Sequence, residues 1–542
     1  MIVCKTATWL GYDVARIREA TMVDSTKLRC PRFGCRVRDA GQAVGFVVLV
    51  LVLLLLIPPH GILSDNEENY FALAEKFVNG SAWPQSSAVF DASRHLTLSD
   101  VTLGSLISAI GYTPAQVVTR LLAVAGYALT LSALFRVFGL WAWDAALAVM
   151  GLELIGQDIV GGEWLFGGYE AKVAAYVLVL AALRLVLISE RLTAAALVFA
   201  LTTYVHFLVG GFWFVAAVAL RALDRPRDLR RVAAATALYL PLILPLIGVI
   251  GWSRFTDGDA ERTGDVPAPD VIYSIIREPH HQSPFLSWAY FSDHWLPGYL
   301  MALAMLSACV WIARRGEKRQ LRVVALWLAG LLTYLFLVLG PKFLDRNSGV
   351  LGKFYLFRPS ALILLLWLML ALGAAAVTLG NRAWILRGSL LALIGPAFLY
   401  IQGERLRRDI VASEALEQQK RLMVEEVTRV VAPGDVVLID PDVEMQWLDF
   451  ERRTRRPTLV TWKFVPTNDH ELIAWYRRME MRRVTFEQGC GPGVYAANVA
   501  YLLTTPAKAP QLAASCGAEA SRAGQWVLLR LEAHHPSTSF NR

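Results

Sequence analysis

Residues 44–57 carry no charge, and shortly after them comes Ser64-Asp65-Asn66-Glu67-Glu68-Asn69-Tyr70. Three carboxylates this close to an apolar run suit acid–base work at a membrane surface, where a positioned general base is typically worth ~10²–10⁴ in rate. A plainer use competes. Ser64-x-x-Glu67 is a capping box, and acidic residues in a first helical turn complement the helix dipole. Tyr70, Phe71, Ala74, Phe77 and Val78 then fall at helical spacing, the pattern of an amphipathic helix lying on a bilayer. Capping accounts for Glu67. It leaves Asp65 and Glu68, which at i and i+3 share a face, as the candidates for a base, Asp65 first.

Three further groups could carry chemistry. Asp158-Ile-Val-Gly-Gly-Glu163 leads into Gly167-Gly168-Tyr169-Glu170-Ala-Lys172. Carboxylates beside a membrane are costly and point to function, so Glu163 and Glu170 are candidate substrate contacts, against a reading as solvated loop charges. Asp158 and Glu163 offer hard oxygen donors for a divalent cation such as Mg or Mn, though their spacing matches no metal motif and no other cofactor is implied. In Arg277-Glu278-Pro279-His280-His281 the adjacent imidazoles diverge, which suits acid–base work or phosphate contact better than one shared metal. Lys353 and Arg358, in Gly352-Lys353-Phe-Tyr-Leu-Phe-Arg358-Pro359, can pair with a phosphate, Arg in bidentate fashion; interfacial snorkelling is the alternative. His206 reads as a helix-end histidine and Asp440-Pro441-Asp442 as a structural turn.

These groups need a scaffold, and composition names its kind. Of 542 residues 55% are apolar and 18% charged, against the ~25% charged of soluble domains. A soluble enzyme, a disordered chain and a disulfide scaffold are excluded. The net charge of +8 is spread between apolar runs, as cytoplasmic loops demand, so nucleic acid is not an expected partner. Spans are expected at 44–57, 117–138, 141–157, 172–188, 193–208, 210–222, 231–251, 296–313, 321–340, 357–378 and 384–402. That makes an α-helical polytopic membrane protein of about eleven transmembrane helices. Residues 1–43 hold eight basic and four acidic residues, while 158–171 hold three acidic and no basic ones. The bias puts 1–43 in the cytoplasm and the loops 64–116, 158–171, 252–295 and 341–356 outside. The segment 341–358 is the exception, with four basic residues against one acidic, and an anionic ligand at the outer surface would explain it. The membrane domain is read as 44–404. After it, 405–542 alternates helices (410–430, 469–479) with strands (436–439, 458–464, 499–504, 526–531), a small extracytoplasmic α/β domain. Outside, Cys490 and Cys516 could pair.

This layout resembles the GT-C class of polytopic glycosyltransferases, which take sugars from polyprenyl-phosphate carriers. The resemblance rests on one span leading to an outer loop that opens with Asp65 and Glu68, on the stretches from Gly168 to Lys172 and Lys353 to Pro359, and on a C-terminal domain on the outer face. It implies an integral protein of a bacterial plasma membrane. Its donor would be a polyprenyl-phosphate sugar and its acceptor an envelope glycan, lipid or protein, with membrane lipids around it. Asp65 or Glu68 would be the base. Lys353, Arg358 and Arg277 would neutralise the departing phosphate, and direct displacement would invert the anomeric carbon. Asp-x-x-Glu stands where the class has an adjacent Asp-Glu pair. No W-W-D-Y-G-like motif is present, which argues against transfer to peptide asparagine. A silent scaffold with an outer binding domain, or a transporter, are the rival readings; Glu153, inside the expected span 141–157, favours the latter.

Overall fold

The computed structural model describes residues 32–57, 65–84, 87–92, 97–138, 140–187, 191–256 and 266–532. Ser64 and the side chain of Asp65 lie outside the described residues. The chain divides into a unit Met1–Val47 and a unit Val48–Arg542. Of the first, only helical backbone from Arg32 onward is described, the start of α1 (Arg32–Leu55).

The second unit is mostly helical. Helix α2 (Asp65–Val78) is followed by α3 (Leu98–Ile110), α4 (Tyr112–Val137), α5 (Ala142–Ile155), α6 (Ala171–Leu187), α7 (Leu192–Val205), α8 (Phe207–Asp224) and α9 (Leu229–Thr256). Then come α10 (Leu296–Arg315), α11 (Arg319–Leu344), α12 (Ser360–Leu379) and α13 (Ala383–Val430). Among the described residues six helical stretches are long and apolar enough to cross a membrane, Tyr112–Phe135 and Ser360–Val430 among them, and the protein is an integral membrane protein. The shorter helices α5, α6 and α7 are buried over much of their surface, α5 by α12 and α13, α6 by α4 and α7, and α7 by α6, α8 and α9.

The break between α7 and α8 falls at His206, which adopts an extended backbone. The two helices close tightly there: a Cβ on Gly210 would sit 2.4 Å from the Thr203 nitrogen. Thr97 and Asp100 cap α3 reciprocally, with Asp100 accepting from the Thr97 N–H at 2.9 Å. This fixes where α3 begins.

Helix α13 runs unbroken through residue 405, where a boundary between membrane and C-terminal segments was expected. Its surface turns polar beyond Gln402 while its backbone ladder continues to Val430, because Glu, Gln, Lys and Arg favour helix as well as Leu does. It ends against a four-stranded sheet of β1 (Val436–Ile439), β2 (Val499–Thr504), β3 (Gly517–Ala523) and β4 (Trp526–Leu531), in the order β1-β2-β4-β3. The β1–β2 pair is parallel and the other two antiparallel. Met423 and Val427 of α13 cover one sheet face with Trp447 and Trp526. The helix α14 (Asp469–Gln488) covers the other with Leu472, Ile473 and Trp475. A disulfide joins Cys490 to Cys516, Cα to Cα 5.1 Å.

Two strand expectations change. Residues 458–464 form only an isolated bridge, Thr458 to Val437. The backbone is satisfied elsewhere: Glu451 accepts from the Thr458 N–H at 3.0 Å, and Glu444 accepts from that of Trp462. Conversely β3 was not expected, since Gly-Ala-Glu-Ala-Ser-Arg-Ala has no β-branched residue. It is an edge strand held by β4 alone, a case in which pairing overrides propensity.

The loop between α5 and α6 is wound around Gln157. Its Nε2 donates to Glu153 (2.7 Å) and to the Phe166 carbonyl (2.9 Å), and its Oε1 accepts from the N–H groups of Leu165 and Phe166, both at 2.8 Å. Gln157→Leu keeps the side chain's bulk but strands two buried N–H groups, at about 1–3 kcal/mol each. A clear fall in the thermal unfolding midpoint of the purified protein is expected, and an unchanged midpoint would mean that other contacts hold the loop.

Candidate functional site

A chain of charged and polar contacts gathers on the side of the bundle where α5 ends and α6 and α12 begin. Glu163, on the loop after α5, is 3% exposed. It meets Lys172 of α6 at 3.0 Å through one oxygen and Arg358, just before α12, at 3.0 Å through the other. Lys172 also reaches Glu170 at 3.4 Å. Glu170 accepts from the amide of Asn66 in α2 at 2.6 Å, and the Asn66 oxygen accepts from Lys463 at 2.8 Å. At the other end Arg358 donates from Nη1 to His206 Nε2 at 2.8 Å. The donation requires His206 to be neutral with its proton on Nδ1. Five separated parts of the chain therefore meet: helix α2, the Gly-rich loop with the start of α6, the α7–α8 break, the approach to α12 and the segment after α13.

Local backbone makes these contacts possible. Gly161 (φ 90°) and Gly162 (φ 64°) take left-handed conformations that bring the loop against the histidines. A Cβ on Gly161 would lie 2.9 Å from that of Phe357, and one on Gly162 would lie 3.5 Å from His281 Nδ1. His281 Nδ1 hydrogen-bonds the Gly161 carbonyl. A carbonyl only accepts, so that nitrogen carries the proton. In the neutral ring Nε2 is then the basic atom. Tyr355 holds φ at 46°, uncommon outside glycine and a form of strain found at functional sites. Its ring lies under the Arg358 guanidinium, 4.0 Å from the centroid. Its hydroxyl donates to Glu278 and lies 2.9 Å from that of Tyr273. Arg358 is thus held on three sides, by Glu163, His206 and the Tyr355 ring. Its Nη2 has no hydrogen-bond partner among the described residues, and its side chain is 15% exposed against 2% for its counter-ion. The arrangement is a rigid guanidinium with one edge open to an anion.

Of the residues singled out in the sequence, Glu163, Glu170, Arg358 and His281 come together here, with the His280 ring tilted against that of His281, centroids 4.0 Å apart. Arg277 stands to one side, donating to the Trp462 carbonyl at 2.8 Å. Lys353 is held by Asp270 (2.7 Å) and Asp469 (2.9 Å). Asp65 opens α2 next to Asn66. Glu68 is 3% exposed and accepts from Arg452 at 2.8 and 3.0 Å. Glu67 is buried, accepting from Arg120 Nε at 2.7 Å and the Tyr169 N–H at 2.6 Å. Asp158 accepts from the Glu163 N–H at 3.1 Å. With Glu163 taken by two cations, that pair presents no converging oxygens to a metal, and among the described residues no group of three His, Cys, Asp or Glu side chains does. Lys463, Asn66 and His206 were not foreseen as members of the site. Lys463 and Asn66 are 397 positions apart, and no local pattern marks either.

Burial alone would push the Glu163 carboxyl up, but Lys172 and Arg358 outweigh it and hold it well below the usual carboxylate range. Asp158 has no such neighbours at contact distance, and burial lifts it to about 6. Burial, helped by His281, lowers His280 to about 4. Burial also raises Glu68 in spite of Arg452.

A family model described as a domain of unknown function (DUF6798) matches residues 423–482. That segment contains Arg452 and Lys463, two groups that grip α2. No curated protein matches the chain. Among solved structures it is similar to the crystal structure of ArnT from Cupriavidus metallidurans in the apo state, at 15% identity, with 91% of this chain and 98% of that chain covered and a TM-score of 0.46. A likeness at that score carries neither fold nor activity over to this chain.

Two measurements follow from the buried carboxyls. A raised acid favours the folded state while protonated, so Asp158 contributes stability at low pH that is lost as pH rises from about 4 to about 6. The loss is on the order of 3 kcal/mol for a two-unit shift. His280 acts oppositely over the same window, since a lowered histidine adds stability as pH rises. Asp158→Asn should therefore shrink the falling component of the unfolding midpoint against pH; an unaltered profile would show that Asp158 does not titrate there. Separately, Glu68→Ala leaves Arg452 buried without its main partner and should cost about 3–5 kcal/mol. Added loss in Glu68→Ala/Arg452→Ala should be small, whereas full additivity would mean the two do not interact.

Proposed function

We propose that the protein is a membrane glycosyltransferase of GT-C architecture. It would transfer a sugar from a polyprenyl-phosphate-linked donor to an envelope glycan, lipid or protein acceptor on the outer face of a bacterial plasma membrane, with inversion. The observation that carries this reading is Arg358, a guanidinium fixed by Glu163, His206 and Tyr355 with an open N–H edge beside the end of a membrane helix. Fixed charge aimed at a developing phosphate anion is usually the largest single contribution to catalysis of this kind.

In this mechanism Asp65 takes the proton from the acceptor hydroxyl. The hydroxyl oxygen attacks the anomeric carbon, the bond from that carbon to the phosphate oxygen breaks, and Arg358 holds the departing lipid phosphate. The anchoring of the neighbouring Asn66 by Glu170 and Lys463 supports Asp65 as the base. Glu68, bound by Arg452, is assigned to holding α2 against the C-terminal segment. His281, with Nε2 basic, can take up the proton next. Glu170, Arg277, His280 and Lys353 shape the donor site around this centre. The topology that goes with this reading has about eleven spans, a cytoplasmic 1–43 and a membrane domain over 44–404. Residues 405–542 form an extracytoplasmic α/β domain. The disulfide at Cys490–Cys516 is supporting evidence, since such bonds persist in oxidising compartments. Glu153 is met by Arg405 at 2.6 Å and by Gln157 and Gln402, which favours a structural ion pair over the free midplane charge of a transporter.

The test is mass spectrometry of polyprenyl-phosphate lipids from a deletion strain. One glycosylated carrier should accumulate on deletion, clear with wild type and persist with Asp65→Asn. Arg358→Lys, which keeps the charge but loses the fork, should slow clearance by roughly 10²-fold. A lipid pool that never changes on deletion would sink the enzyme reading and favour a scaffold.

A further inference from the structure

At the end of the bundle away from Arg358, where α4 turns into α5, α10 into α11 and α12 into α13, lies a cavity of about 350 Å³. Its cations are Lys318 and Arg387. Arg387 is committed, donating to both oxygens of the buried Asp144 at 2.6 and 2.9 Å. Lys318 is exposed, and its ammonium has no partner among the described residues. Three helix beginnings add to its field: Trp141 and Lys318 are the N-cap residues of α5 and α11, and Ala383 opens α13. At α5 the Trp141 N–H is taken by Asp144 at 2.8 Å, whereas Lys318 gives α11 no side-chain cap, so first-turn N–H groups of α11 remain available to an anion. The wall opposite is smooth, made of Gly373, Ala376, Val377 and Gly380.

We infer that this cavity binds the phosphate headgroup of an anionic membrane phospholipid. Charge argues for an anion, since Asp144 is cancelled by Arg387 and the segment 314–322 around Lys318 holds five basic residues against Glu317 alone. The surroundings argue for a lipid. Trp141 is 61% exposed and Trp143, Leu379, Trp384 and Ile385 are exposed beside it, an apolar apron along which acyl chains lie while the headgroup enters. Basic pockets between membrane helices are the sites that select such headgroups, and aromatic rings at the interface are their usual flank. By the loop-charge bias this end faces the cytoplasm, the leaflet whose surface is negative. Bound there, the lipid would bridge α5, α11, α12 and α13. Nothing in the argument depends on the proposed glycosyl transfer.

The experiment is native mass spectrometry of the delipidated full-length protein titrated with phosphatidylglycerol or phosphatidylcholine. Wild type should retain phosphatidylglycerol at least tenfold more strongly, Lys318→Glu should lose that preference, and Arg315→Glu, a charge change on the same face outside the cavity, should keep it. Unchanged preference in Lys318→Glu would overturn the site. So would equal loss in Arg315→Glu, which would mean general surface attraction, or displacement of the lipid by millimolar inorganic phosphate, which would mean a free-anion site. A thermal melt of each variant separates loss of binding from loss of fold.

Discussion

Glu163 is a carboxylate taken out of water, and the end of the bundle that holds it is organised around the need to neutralise it. An unpaired buried charge is among the most expensive features a protein can carry. Lys172 answers it from the start of α6 and Arg358 from the approach to α12, so the two helices are registered against the Gly-rich loop. Each cation then needs its own second partner. Lys172 finds Glu170 and Arg358 finds His206, and the neutralisation spreads outward until it reaches α2 and the segment after α13. The left-handed glycines at 161 and 162 and the strained Tyr355 are backbone consequences of bringing these groups within reach.

The carboxylates of helix α2 divide the labour differently from what their spacing implies. Glu67 ties α2 to Arg120 and to the backbone of the Gly-rich loop. Glu68 ties it to Arg452. Glu451, one residue earlier, accepts from the N–H groups of Ala88 and Val89 at 3.0 and 3.3 Å. The segment after α13 therefore grips both α2 and the loop that follows it through consecutive residues. It is part of the scaffold of the site, not an appendage, and the unbroken α13 carries it there rigidly from within the bundle.

The two ends of the bundle are chemically unlike. At one, cations are matched to buried carboxylates and the Arg358 guanidinium keeps an open edge among the described residues. At the other, Arg387 is matched to Asp144, while Lys318 stands at a helix start in a cavity with an apolar apron. Both follow from one rule: charges at the rim of an apolar slab are either paired inward or turned to whatever anion the surroundings supply.

Hydropathy and helix spacing are local properties, which is why the membrane class, the helices from α4 to α12, the break at His206 and the candidate residues Glu163, Glu170, His281 and Arg358 were legible in the sequence. A run of apolar residues has no other way to satisfy its backbone in a bilayer than by forming helix. Strand pairing and ion pairing are not local. The bridge at Thr458, the edge strand β3, the commitment of Glu68 to Arg452, and the meeting of Lys463 with Asn66 each depend on a partner that chain folding brings from far away. A carboxylate's neighbours decide whether it is a strut or a base, and only the tertiary structure supplies neighbours.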